Sequence, residues 1–427
     1  MLVDGRPEPI LAVYAFAVAA ALALALVPLA ERVAWRIGAI DRPNERSLHS
    51  EPTPKLGGLA ILLGILVSAL LFMPLGPETR AILIGATLIA GVGVVDDVVA
   101  LGALPKLLGQ VVAASVAVFS GVRLTAFTLP FIGGVDPTTV ELVTLPLVDT
   151  VDLGELLSVI GIVAAVNVIN LIDGVDGLAA GVCVIAAATL SVIALSLGRE
   201  TAGVLAALTA GASLGFLRHG FPPASSFMGD TGSNLLGYML AVIAIQGALK
   251  TNAVVALFFP LLVLAVPILD TGFVVAKRVK YRAPIYRADR WHFHHRMANI
   301  GFSQRRTLAY LYGWTAVMAV LALALRFVPY SDDRGNFDPV WTAVMVACFV
   351  VVLGASFYLV MTLEILKLRR FRAEAPGVAT LPAEVVDQGV KRELETGSFE
   401  VVNPETGEFE ALDPETGEFE AIDPEAR

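Results

Sequence analysis

Cysteine is almost missing from this chain: two residues in 427. Cys183 and Cys348 both fall inside apolar runs and read as small core residues, so neither a disulfide framework nor a thiolate metal cluster is expected. Charge is scarce as well. Asp, Glu, Lys and Arg make up 16% of the residues against 56% hydrophobic, and mean hydropathy is +0.75, which points away from a soluble domain and towards a polytopic membrane protein. Net charge is missing from most of the chain too. Residues 1–363 hold 23 acidic and 23 basic side chains, and the whole balance of −9 comes from residues 364–427, with 16 acids and 7 bases.

A run of about 20 apolar residues crosses a bilayer as a helix. Eleven runs qualify, near 10–30, 57–73, 79–95, 105–122, 154–172, 177–197, 202–219, 233–249, 252–270, 307–328 and 340–363, the second and third being short. With the N-terminus outside, 23 of the 30 Lys and Arg fall on the inner side, nine of them in 271–306 and five in 31–56. That bias sets the expected orientation as N-out and C-in. The first run carries Asp4 and Glu8 before it and Arg32 and Arg36 after it, so it is read as an anchor that is kept rather than a cleaved signal peptide.

The expected division is a transmembrane domain over 1–366 and a cytoplasmic tail over 367–427. The tail opens on the basic Lys367-Leu-Arg-Arg-Phe-Arg and ends in an acidic ten-residue repeat, Asn403-Pro-Glu-Thr-Gly-Glu-Phe-Glu-Ala-Leu and Asp413-Pro-Glu-Thr-Gly-Glu-Phe-Glu-Ala-Ile. So little apolar surface predicts disorder.

Polar motifs gather in the loops assigned to the inner side. Asp96 and Asp97 end the third run, in Gly-Val-Gly-Val-Val-Asp-Asp, and Lys106 follows. Adjacent carboxylates repel unless one holds a proton or a cation intervenes, which suits a metal site or a general base. In Asn-Val-Ile-Asn-Leu-Ile-Asp-Gly-Val-Asp-Gly, Asn167 and Asn170 share a helical face, and Asp173 and Asp176 have the same spacing. Asp230 stands in Phe227-Met-Gly-Asp-Thr-Gly-Ser, a hard oxygen ligand beside small residues. Thr53-Pro-Lys-Leu-Gly-Gly lies in the first inner loop. His292, His294 and His295 sit among Arg287, Arg290 and Arg296 in the last large one; arginine beside histidine without cysteine favours phosphate over zinc. Carboxylates at a membrane boundary are costly enough to be functional candidates, and magnesium, which takes one or two carboxylates with water and phosphate, suits this set.

Taken together, in this order and over about residues 40–310, the motifs resemble the polyprenyl-phosphate N-acetylhexosamine-1-phosphate transferase superfamily. The resemblance implies that Asp96 and Asp97 are the catalytic pair, with Lys106 beside them, and that Asp230, sharing the ion with Asp97, ligates Mg²⁺, for which Mn²⁺ is a candidate substitute. It implies a nucleotide-sugar pocket from Asn167, Asn170, Asp173, Asp176, Phe227, Arg290, His292, His294 and His295, with Phe227 able to stack on uracil. Ala100 stands where the phospho-N-acetylmuramoyl-pentapeptide translocase branch has lysine, and His-Phe-His-His-Arg differs from that branch's three consecutive histidines. Both departures favour the UDP-GlcNAc:undecaprenyl-phosphate GlcNAc-1-phosphate transferase branch.

The expected substrates are therefore a UDP-N-acetylhexosamine and polyprenyl phosphate, joined at the inner face of a bacterial inner membrane, with UMP released. No nucleic acid is expected as a partner, and a homodimer is compatible with the reading. The alternatives are the muramoyl-pentapeptide transferase of peptidoglycan synthesis or, from other classes, an ion-coupled transporter or an intramembrane aspartyl protease. A transporter calls for acids at mid-span and repeated halves; a protease calls for two facing aspartates within spans.

Overall fold

The computed structural model describes residues 2–3, 6–7, 10–43, 51–125, 127–129, 133–145, 148–247, 258–280, 297, 302–330, 337–374, 400–402, 409–412 and 419–420. The chain divides into two compact units, residues 1–268 with 308–349 and residues 269–307 with 350–427.

The protein is helical almost throughout, as the composition predicts. The first unit contains α1 (Ile10–Ile37), α2 (Gly57–Phe72), α3 (Pro77–Val99), α4 (Ala103–Val118), α5 (Leu153–Ile172), α6 (Leu178–Ser196), α7 (Glu200–Gly220), α8 (Gly229–Gly247) and α9 (Phe258–Val263). Three more, α10 (Ala265–Lys280), α11 (Gln304–Phe327) and α12 (Pro339–Glu374), run through the unit boundaries. Among the described residues seven helices are long and apolar enough to cross a membrane: α1, α3, α5, α6, α7, α11 and the first part of α12. α2, α4 and Ala265–Ala276 are apolar but shorter. Ten of the eleven expected runs lie on a helix. The run at 252–270 does not do so cleanly: residues 251–257 lie outside the described residues, and the helix breaks at Leu264 between α9 and α10.

α8 is the buried core of the first unit, enclosed from Thr231 to Gly247. A helix enclosed on every side has no polar face to spare for solvent; most polar groups of α8 collect at its start, and Tyr238 and Gln246 further along bond to α3. α1 shows a different device. Its inward seam is mostly alanine, Ala12, Ala15, Ala19, Ala23, Ala30 and Ala34 beside Leu11 and Val27, and small side chains at helical spacing let a neighbour approach closely. On α7, a Cβ at Gly215 would lie 2.2 Å from the Ala20 carbonyl oxygen. Pro28 inside α1 has no N–H for the Leu24 carbonyl; His219 Nε2, 3.2 Å away, fills that place.

Before α5, short hairpins pair 127–129 with 133–135 and Glu141–Leu145 with Val148–Asp152. Asp152 and Glu155 then start α5 with a reciprocal capping box, and Arg123 bonds to both carboxylates, at 2.9 and 2.6 Å.

In the second unit only three short segments of the repeat region are described. Glu400–Val402, Phe409–Leu412 and Phe419–Glu420 pair as a three-stranded antiparallel sheet with the middle segment central. Val, Phe and Leu, which recur in these segments, favour strands.

Candidate active site

Four helix ends meet in the first unit: the last turn of α3, the first turn of α4, the last turn of α5 and the first turn of α8. α3 stops where Ala100 turns left-handed (φ 54°) and its N–H returns to the Asp96 carbonyl. The Leu101 N–H donates to Asp96 Oδ1 at 2.6 Å, so the turn between α3 and α4 holds that carboxylate in place. Its other oxygen faces Lys106 Nζ at 2.9 Å. The same ammonium pairs with Asp230 on α8 and reaches Asn170 Oδ1 at 3.5 Å. Asn170 Nδ2 donates to Asp230 Oδ1 at 2.6 Å and to Ser233 Oγ at 2.9 Å. Asp96, Lys106, Asn170 and Asp230, expected from four separate motifs, are thus one hydrogen-bonded cluster.

Asp97 is turned elsewhere. It accepts from the Asp230 N–H (3.0 Å), the Thr231 N–H (3.0 Å) and Thr231 Oγ1 (2.7 Å). Asn167, assigned to the nucleotide pocket, donates to Gln110 Oε1 at 2.7 Å and to the Val163 carbonyl at 2.8 Å, which ties α5 to α4 beneath the cluster. Asp176 accepts from the Ala224 N–H at 3.1 Å and so braces the loop leading to Phe227. Asp173, at the end of α5, accepts no side-chain hydrogen bond among the described residues. Enclosure of its carboxyl, and then the negative charges of Asp230, Asp97 and Asp176, push it well above the usual carboxylate range. Arg290, His292, His294 and His295 lie outside the described residues.

Several contributors were not legible as such. The Thr53–Gly58 segment seats the Phe227 loop through its backbone: the Phe227 N–H donates to the Pro54 carbonyl (2.8 Å), and the Gly57 and Gly58 N–H groups donate to the Phe227 and Met228 carbonyls (2.9 and 3.0 Å). Gly-Gly was the available signal, since a Cβ at Gly58 would stand 2.2 Å from the Gly232 nitrogen. Gln110, four residues after Lys106, carries no mark of its part in the sequence and is found only through its bond to Asn167. Tyr312 donates to the Gly177 carbonyl at 2.6 Å, and nothing in the sequence marked it.

Among the described residues no three His, Cys, Asp or Glu side chains form a metal-holding group. Magnesium does not require one. Asp96 and Asp230 share one ammonium, Lys106, and the charge of Asp230 is also felt by Asp97 and Asp173; that surplus of negative charge with hard oxygen donors fits a divalent cation joined by substrate phosphates.

The sequence profile of glycosyl transferase family 4 matches residues 79–248, a stretch that includes Asp96, Asp97, Lys106, Asn170 and Asp230. A Bacillus subtilis protein named probable undecaprenyl-phosphate N-acetylglucosaminyl 1-phosphate transferase is 36% identical over 316 residues, 74% of this chain and 85% of its own length. The decaprenyl-phosphate N-acetylglucosaminephosphotransferase of Mycobacterium tuberculosis is 34% identical over 357 residues, 76% and 82%. The chain belongs to this transferase family. A phospho-N-acetylmuramoyl-pentapeptide-transferase from Moorella thermoacetica is more distant, at 31% over 306 residues, 67% and 87%. Membership and the apolar helices together make this a multi-pass membrane transferase, and the acids at helix ends rather than mid-span set the transporter reading aside.

Proposed function

We propose that this protein transfers N-acetylglucosamine-1-phosphate from its UDP-sugar to undecaprenyl or decaprenyl phosphate and releases UMP. The supporting observation is Lys106 held between Asp96 and Asp230 with Asn170 behind them. Phosphoryl transfer asks a protein mainly for positioning and charge stabilisation, and this cluster offers a fixed cation and fixed acceptors at helix ends. An oxygen of the lipid phosphate attacks the β-phosphorus of the nucleotide sugar. A new P–O bond forms there, the bond to the bridging oxygen breaks, and UMP leaves with that oxygen. Asp96 orients the attacking phosphate and takes its proton where one is present. Lys106 steadies the charge that builds on the pyrophosphate. Asp230 would hold Mg²⁺, which when bound supplies Lewis acidity at the phosphates.

The site is proposed to open to the cytoplasmic side of a bacterial inner membrane, where a water-soluble nucleotide and a bilayer-borne lipid can meet. N-out, C-in with about eleven spans accords with that placement. The reading is tested with purified protein, polyprenyl phosphate, Mg²⁺ and labelled UDP-sugars offered one at a time. UDP-GlcNAc should give a lipid-linked pyrophosphate product. Turnover of the UDP-muramoyl-pentapeptide alone would overturn it.

A further inference from the structure

Asp97 shares a motif with Asp96 but does not share its surroundings. Neither of its oxygens meets Lys106; both meet the start of α8. A helix begins with N–H groups that have no partner within it, and a side-chain oxygen just before the first turn normally serves them. α8 cannot cap itself in that way, because the residue before Gly229 is Met228, whose side chain has no oxygen. Asp97 reaches across from α3 and serves two of those N–H groups and a hydroxyl.

The close fit of the two helices reinforces the arrangement. Gly229 has φ +65°, and a Cβ there would fall 2.5 Å from Asp97 Oδ2. A Cβ at Gly93, one turn earlier on α3, would fall 2.4 Å from the Thr231 nitrogen. Asp97 is therefore packed against backbone on the side away from Lys106, and the same first turn of α8 presents Asp230 to Lys106 and Asn170.

We propose that Asp97 is a positioning residue: it caps α8 from a neighbouring helix and so fixes the carboxylate of Asp230, rather than touching substrate or ion. This rests on the reading of Asp230 as the residue that meets the reacting phosphates. The distinction from a direct role is measurable without turnover. In Asp97→Ala, hydrogen exchange at the Asp230 and Thr231 amides should rise about ten-fold, the size of a lost helix cap, while exchange from Leu235 to Ile245 stays as in the wild type. Asp97→Asn keeps one acceptor and should give a smaller rise and partial activity. Thr231→Val removes only the hydroxyl donor and keeps folding safe if the alanine variant does not express. Its loss of kcat should not multiply with that of Asp97→Asn, because both act through one contact. Wild-type exchange at these amides in Asp97→Asn with turnover abolished would overturn the proposal, as would fully multiplicative losses in the double variant. If the wild type made no lipid-linked product, the transfer reaction would fall while the exchange result still decided the cap.

Discussion

Asp230 is the residue on which the cluster converges, and its replacement is the most direct probe. Asn is close in shape and keeps one acceptor, but it loses the charge that faces Lys106 and would face a divalent cation. Asp230→Asn should fold, keep its behaviour in detergent and lose at least about 100-fold in turnover, the scale of removing a preorganised electrostatic group. Initial rates across a magnesium series check this, and near-normal rates at ordinary magnesium would remove Asp230 from the ion. Asp173 allows a pH experiment of known sign. Its folded value lies above the ordinary 3.8, so the folded protein holds that proton longer than the unfolded chain. The stability tied to it is present below 3.8 and lost as pH rises through the higher folded value. In chelator-treated protein, thermal unfolding from about pH 4 to about pH 8 should show that decline, and Asp173→Asn should flatten it. An unchanged slope would mean the carboxyl is not confined among Asp230, Asp97 and Asp176.

At the scale of elements, the helices were legible because apolar runs and their polar ends are hard to mistake. Asp96, Lys106, Asn170 and Asp230 were legible for the same reason: each is a polar residue standing at one end of an apolar helix. What stayed hidden depends on backbone groups, which every residue carries and no motif advertises. The N–H groups of Asp230 and Thr231 that engage Asp97, the Phe227 carbonyl that takes the Gly57 N–H, and the Gly177 carbonyl that takes the Tyr312 hydroxyl are of this kind. Asn167 was misleading by its periodicity. It shares a face with Asn170, yet one turn deeper its partner is Gln110 on α4 rather than open space. The seam between α1 and α7 gives an element-scale test. A Cβ at Gly215 would meet the Ala20 carbonyl, a backbone atom that cannot swing aside. Gly215→Val should therefore cost about 1–3 kcal/mol of stability, read as a lower unfolding temperature in detergent. An unaltered temperature would show that the two helices separate freely.

For the whole molecule, the tail separates the catalytic unit from its appendage. α12 continues to Glu374, so the basic stretch Lys367-Leu-Arg-Arg-Phe-Arg belongs to the helix, and a basic helix end of this kind favours an anionic membrane surface. The acidic repeat begins well beyond it and forms its own small sheet from three short strands. Among the described residues the side chains bonded around Lys106 all fall within residues 96–233. The repeat's acidic charge would also repel both phosphorylated substrates rather than gather them. Ending the chain near residue 378 should leave α12 intact, and membrane insertion, folding and transfer activity with soluble UDP-sugar should stay close to those of the full chain. Ending it before Lys367 should instead lower insertion or stability, because the helix loses its basic end. The two truncations are compared by yield from membranes, unfolding temperature and initial rate. A longer truncation that is well folded yet inactive would mean that the repeat sheet takes part in substrate capture, and the acidic tail would then have to be counted with the site.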